Sequence, residues 1–282
     1  MNALLLISVI LGVSAQDITK KIYNKKSPAP GAYFFVVLSA LAASIFFALT
    51  SGSLDFNADI IPYSAAFAIA YTAGVVGSVI AIASGPLSLT SLIVSFSLML
   101  PTLYGLIFLG DPISIGLFPG LALLAASLVL INKRDKGTKI NVKWVISVIF
   151  AFMGNGFCTI FQKMQQLKFN GSYKNEFMII ALVITAVAAL IMTLVKERKI
   201  IKKQTFTGCA LGIICGAANG AVNLFVMILS GLMPVSLMFP IISAGGIVAT
   251  FIISQVIYKE KLSKLQLVGF ILGTVSVVLL NI

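Results

Sequence analysis

The chain alternates long apolar runs with short polar breaks, and the breaks carry nearly all of its charge. Two runs, 60–110 and 204–258, contain no charged residue. A helix rises about 1.5 Å per residue and a bilayer's hydrocarbon core is about 30 Å thick, so each run suffices for two crossings. Each is interrupted near its middle by Ser-Gly and then proline: Ser84-Gly85-Pro86 in the first, Ser230-Gly231 with Pro234 in the second. With charges as boundaries elsewhere, the pattern predicts ten helices, over 2–22, 31–51, 60–83, 86–109, 113–132, 144–166, 176–195, 204–229, 233–257 and 264–281. The expected fold class is an all-α membrane protein with ten transmembrane helices.

The pattern also repeats. Each uncharged run ends close to an acid, Asp111 or Glu260, and each acid is followed nine positions later by a glycine, Gly120 or Gly269. The following tails nearly coincide: Ala126-Ser127-Leu128-Val129-Leu130-Ile131-Asn132 and Val275-Ser276-Val277-Val278-Leu279-Leu280-Asn281. The fronts match more weakly, through Ile7-Ser8-Val9-Ile10 and Ile146-Ser147-Val148-Ile149. This register predicts two five-helix units, 1–135 and 136–282. An odd number of crossings per unit turns the second over, giving the inverted-topology repeat found in many transporters.

Composition agrees and narrows the choice. With 59% hydrophobic residues, 10% charged and a mean hydropathy of +1.08, the chain belongs in a membrane. A net charge of +12 in a soluble protein would raise nucleic-acid binding, but here the basic residues lie between apolar spans, where they face anionic lipid. Nucleic acid is therefore not an expected partner; the lipid bilayer is. On a ten-helix reading, 17 of the 20 basic residues fall on one side, leaving Lys163, Lys168 and Lys174 on the other. The bias places that basic side in the cytoplasm and both termini outside a cytoplasmic membrane. The first helix has a rival reading as a secretory signal, with Val13-Ser14-Ala15 as its cleavage site. Its leading residues lack lysine or arginine, and its counterpart in the second unit is retained.

The proline-bearing helix, the short acidic turn and the helix with an early glycine resemble the EamA-like family of the drug/metabolite transporter superfamily. The features are Pro86, Pro101, Asp111 and Gly120 in one unit, and Pro234, Pro240, Glu260 and Gly269 in the other. The resemblance implies ten helices in two inverted five-helix repeats and a transport function, without naming a substrate. Many relatives are drawn with cytoplasmic termini, whereas the charge count here says the reverse, so no transport direction is inferred.

Candidate chemistry is sparse. Cys158, Cys209 and Cys215 lie in apolar stretches without ligand spacing, and histidine is absent, so neither a metal, a cofactor nor a disulfide framework is expected. Asp111 followed by Pro112 reads as a helix N-cap with proline at the first helical position. Gly208, Gly212, Gly216 and Gly220, spaced by four, form a bare stripe for helix packing. Asn219 and Asn223 share one face of that helix, Asn155 sits mid-span between two glycines, and Tyr71 and Thr72 lie in the middle of the third helix. An amide in hydrocarbon needs partners, which points these residues to the bundle interior. Together they are the candidate substrate-binding set; interhelical hydrogen bonding alone is the plainer account of each. Asp17, the one acid inside a predicted span rather than at its first residue, is the candidate for coupling to H+ or Na+, against an interfacial pairing with Lys20 or Lys21. Lys163 is expected to snorkel, Trp144 and Tyr33 to anchor at interfaces, and Pro101 and Pro119 to loosen their helices.

The expectation is a secondary active transporter of a small organic metabolite or drug-like solute, working by alternating access as a monomer or homodimer, with export one possible direction. A pocket of amides, hydroxyls and aromatics suits a neutral, zwitterionic or amphipathic solute. The competing class is a non-transporting membrane scaffold or sensor subunit. An enzyme is not expected: GxSxG, a metal set and GxxxxGK[ST] are all missing.

Overall fold

The structure, a computed structural model, describes residues 2–27, 31–84, 90, 93–94, 96–113, 115–131, 141–258 and 264–279. Among them are eleven α-helices: α1 Asn2–Lys26, α2 Ala32–Thr50, α3 Ile61–Ser84, α4 Met99–Phe108, α5 Leu117–Ile131, α6 Val142–Lys168, α7 Lys174–Lys196, the single turn α8 Arg198–Ile201, α9 Phe206–Leu232, α10 Val235–Tyr258 and α11 Lys264–Leu279. Six spans are long and apolar enough to cross a membrane: Asn2–Asn24, Ala32–Thr50, Ala58–Ala81, Val142–Lys168, Lys174–Lys196 and Phe206–Leu232. That is the make-up of a multi-pass membrane protein. Pro86 and Glu260, the remaining marks of the repeat, lie outside the described residues.

Side-chain placement fits a lipid solvent. Large apolar residues such as Leu49, Ile69 and Phe206 are fully turned outward, while alanines and serines line the contacts between helices. Lipid offers no hydrophobic reason for helices to associate, so close packing and interhelical hydrogen bonds carry that task. α3 and α6 show how close this packing becomes. Gly74 and Gly154 lie backbone against backbone, and a Cβ on Gly154 would strike the Gly74 amide and the Ala70 carbonyl. On α9, Gly212 faces Leu38, Gly216 faces Ser39 and Ala42, and Gly220 faces Phe46, so this stripe receives α2.

Helix pairing runs across the chain's midpoint. α3 lies along α6, α1 along α9, α2 along α7 and α9, α5 along α11, and α4 against α10. At the α5–α11 crossing, the buried Ser127 hydroxyl donates to the Gly269 carbonyl at 2.6 Å, and the buried Ser276 hydroxyl donates to the Gly120 carbonyl at 2.8 Å. These four residues are among those that match between the two segments of sequence.

Helix starts explain several boundaries. Asn141 accepts from the Trp144 N–H at 2.7 Å and Thr205 from the Gly208 N–H at 3.2 Å, so α6 and α9 are capped by their own sequence. α2 and α10 are not: they begin after Gly31 and Pro234, which have no side chain able to cap. Their exposed N–H groups are met from elsewhere. The Glu197 carboxylate accepts from Tyr33 N–H at 3.2 Å and Phe34 N–H at 2.9 Å, and Asp111 accepts from Ser236 N–H at 3.0 Å.

This corrects the reading of Asp111. It does not cap the helix that follows it, because α5 starts only at Leu117 and Pro112 stands outside it. The Gly-Leu-Ile-Phe-Leu-Gly-Asp run sets its aim. α4 ends on Gly110 in the left-handed region (φ +66°), with Asp111 N–H bonded back to the Gly105 carbonyl at 3.1 Å. Gly105 has no side chain, which leaves room for the Asp111 carboxylate over α4.

Three further expectations change. Lys163 does not snorkel: it is buried and donates to the Ser230 carbonyl at 2.6 Å, one of the last carbonyls of α9, where a cation suits the helix dipole. Trp144 is buried, its ring N–H donating to Thr90 at 2.8 Å, and is no interfacial anchor. Pro101 and Pro119 each fall third in their helices, α4 and α5, where a missing N–H breaks no helical bond. Among the described residues, the proline that lies beyond the first turn of its helix is Pro240 of α10.

Candidate functional site

Amides that would be costly in lipid gather at one place. Asn219 and Asn223 sit one turn apart on α9, held in register by the α2 packing behind them. Asn219 Oδ1 accepts from the Tyr71 hydroxyl of α3 at 3.0 Å and from Asn223 Nδ2 at 2.9 Å. Asn219 Nδ2 donates to Gln16 Oε1 of α1 at 3.0 Å. Asn223 Oδ1 accepts from Gln162 Nε2 of α6 at 2.7 Å, and the same amide nitrogen reaches Met178 Sδ of α7 at 3.9 Å. Five helices thus meet at one uncharged hydrogen-bonded chain. Tyr71 is stacked on Phe67 with ring centroids 5.6 Å apart, which fixes the direction of its hydroxyl. Tyr71, Gln16 and Gln162 are buried, while Asn219 and Asn223 are partly open.

Of the sequence-selected residues, Tyr71, Asn219 and Asn223 come together here. Thr72 does not: its hydroxyl donates to the Ala68 carbonyl at 2.7 Å, within its own helix. Asn155 makes no bond to the chain of amides, yet its position is informative. It is exposed on the face of α6 that also carries the buried Val148, Ala151 and Gln162, opposite the outward stripe of Ile149, Phe150, Met153 and Phe157. Its amide therefore opens onto space on the inner side of α6. The side chain of Asp17 lies outside the described residues.

Sequence reasoning left out Gln16 and Gln162 as site residues. Gln16 stands beside the charged Asp17, and Gln162 beside Lys163 near a helix end. The signal was available, since each is an amide inside an apolar span. Beyond Gln162, the end of α6 stays polar and buried: Gln165 Nε2 donates to the Ser172 carbonyl and Gln166 Nε2 to Gln165 Oε1, both at 2.7 Å. Among the described residues there is no group of three or more histidine, cysteine or acidic side chains able to hold a metal ion.

No family model and no curated protein matches the sequence. The fold is nevertheless shared. A solved protein crystal structure aligns with a TM-score of 0.78 over 98% of this chain and 98% of its own, at 12% sequence identity. Identity that low shows a common fold and nothing about activity.

Proposed function

We propose that the chain is a secondary active transporter of a small organic solute, built from two inverted five-helix repeats that cross the membrane ten times. The observation that carries this reading is the uncharged polar chain from Gln16 to Gln162, set in the interior of an otherwise apolar bundle. Such groups are rare in lipid-spanning helices and are placed where something polar has to bind or pass.

Three features support the repeat. Exchanging the halves maps helix pairs onto helix pairs: α3 with α6 becomes α9 with α1, and α2 with α9 becomes α7 with α3, all of which are packed. The Ser127 and Ser276 bonds exchange in the same way. Gln16 and Asn155, each nine residues after the first isoleucine of its Ile-Ser-Val-Ile segment, become counterparts. Loop contacts also sort by side. Asp111 and Lys163 meet the α9–α10 turn, and Glu176 meets Asp55, on the face with few basic residues; Glu197 meets the start of α2, and Gln204 meets Ser27, on the other.

The resemblance to the EamA-like family fits this picture. The lack of charge in the polar chain favours a neutral, zwitterionic or amphipathic solute over a polyanion. A second reading draws on the same bonds: because the amides satisfy one another, they could serve only to join helices in a scaffold or sensor subunit. Flux into proteoliposomes decides between the two, using a panel of amino acids, sugars and drug-like amines under imposed H+ or Na+ gradients. Gradient-driven or exchange flux for at least one class is expected; none for any compound, with the protein folded, rejects the transporter.

A further inference from the structure

The helices pack into two groups that ignore the halves of the chain. α1, α2, α3, α6, α7 and α9 form one, with α3 along α6 and α7, α1 along α9, and α2 along α7 and α9. α4, α5, α10 and α11 form the other, with α5 along α11 and α10 against α4 and α11. Every member of the polar chain, Gln16, Tyr71, Gln162, Asn219 and Asn223, stands in the six-helix group.

The four-helix group is fastened across the halves. Ser127 and Ser276 bond reciprocally across α5 and α11, and Asp111, just past α4, holds the start of α10. The groups meet where α1 and α9 face α10, across a buried apolar seam of Val9, Val226 and Leu229 on one side and Met238, Phe239 and Ile242 on the other, and where α4 faces α6, with Leu100 against Gly156. α9 and α10 are consecutive, joined only by Met233 and Pro234, yet they belong to different groups. The two sides of that turn are held separately. Lys163 of the six-helix group grips the Ser230 carbonyl before it, and Asp111 of the four-helix group grips the Ser236 N–H after it.

We infer that the four-helix group moves as one body against the six-helix group, uncovering the polar chain to one membrane face and then the other, with the Met233–Pro234 turn as a pivot. This rests on the transporter reading but differs from a rocking of one sequence half against the other, which would have to break the α5–α11 crossing. Binding then belongs to one body and covering to the other.

Spin-label distances in phospholipid nanodiscs test it without any solute. Labels go on outward-facing positions after Cys158→Ser, Cys209→Ser and Cys215→Ser. The Phe118→Cys/Leu267→Cys and Leu49→Cys/Val187→Cys pairs each stay within one group but cross the halves. The Leu49→Cys/Phe118→Cys pair stays within the first half but crosses the groups. The expected result is one narrow distance for each of the first two pairs and a broad or two-peaked distribution for the third. Spread in either within-group pair, or a narrow distance for the third, overturns the inference. Failure of flux in the unlabelled protein would reject transport itself, and the distance pattern would still decide how the bodies move.

Discussion

Asn219 is where the polar chain converges, and its removal gives the sharpest test of the structure. Asn219→Ala deletes three side-chain bonds: from Tyr71, from Asn223 and to Gln16. Interhelical hydrogen bonds inside membranes average about 0.6 kcal/mol, with a ceiling near ~1.7, so the two bonds to other helices, with the Asn223 bond along α9 counted at a similar size, together contribute about 2 kcal/mol. The buried Tyr71 hydroxyl and Gln16 carbonyl left behind raise the loss toward about 3 kcal/mol. Tyr71→Phe removes one of these bonds while keeping the ring on Phe67, and should cost about 0.6 kcal/mol. The two substitutions share that bond, so a double-mutant cycle should return a coupling of about 0.6 kcal/mol. Unfolding in mixed detergent micelles, followed through the single tryptophan, Trp144, measures all three variants. In proteoliposomes the same Asn219→Ala variant should raise the half-saturating solute concentration about tenfold, the equivalent of one bond of about 1.4 kcal/mol. A loss of stability below about 0.3 kcal/mol, or strictly additive single variants, would refute the bonded chain. A destabilised variant with unchanged half-saturation would assign these amides to helix joining alone.

Glu197→Ala strips two N–H partners from the start of α2 and should cost about 2 kcal/mol, with Glu197→Gln costing roughly half; hydrogen exchange at the Tyr33 and Phe34 amides locates the effect. Asp111→Ala should speed exchange at the Ser236 amide and leave the first turn of α5 unaffected, whereas an effect on α5 would restore the local-cap reading. Gly154→Ala meets backbone on α3 that cannot yield, so a loss of about 1–3 kcal/mol is expected; Gly52→Ala, with open space around it, should be neutral in the same unfolding assay.

The six long apolar spans were legible because charge marks most of the points where a span leaves lipid, and that rule needs no knowledge of neighbours. The glycine stripe of α9 was legible for a similar reason, since four-residue spacing places small residues on one face whatever packs there. Lys163 and Trp144 were misread because their usual homes are at interfaces, while here specific partners, the Ser230 carbonyl and the Thr90 hydroxyl, hold them inside. Asp111 was misread for a different reason. A following proline is a strong local sign of a cap, but the orphan N–H groups that needed a carboxylate belonged to α10, far away in sequence. Three of the five residues in the polar chain, Tyr71, Asn219 and Asn223, stood out in the sequence as polar groups against apolar surroundings. Gln16 and Gln162 needed the fold, because only packing shows that α1 and α6 reach the same point on α9.

The reciprocal serine bonds between α5 and α11 are of the kind that two identical subunits make around a dyad. In a homodimer both sides of such a contact are written by one codon and must change together. Here Ser127 and Ser276 are separate residues of one chain, so either side can drift while the other keeps the crossing in place. That freedom extends to everything the crossing holds. α9 gives two asparagines to the polar chain and α3 one tyrosine, so the chain is lopsided. In the proposed transporter, that freedom lets the environment met from one face of the membrane change without altering the other.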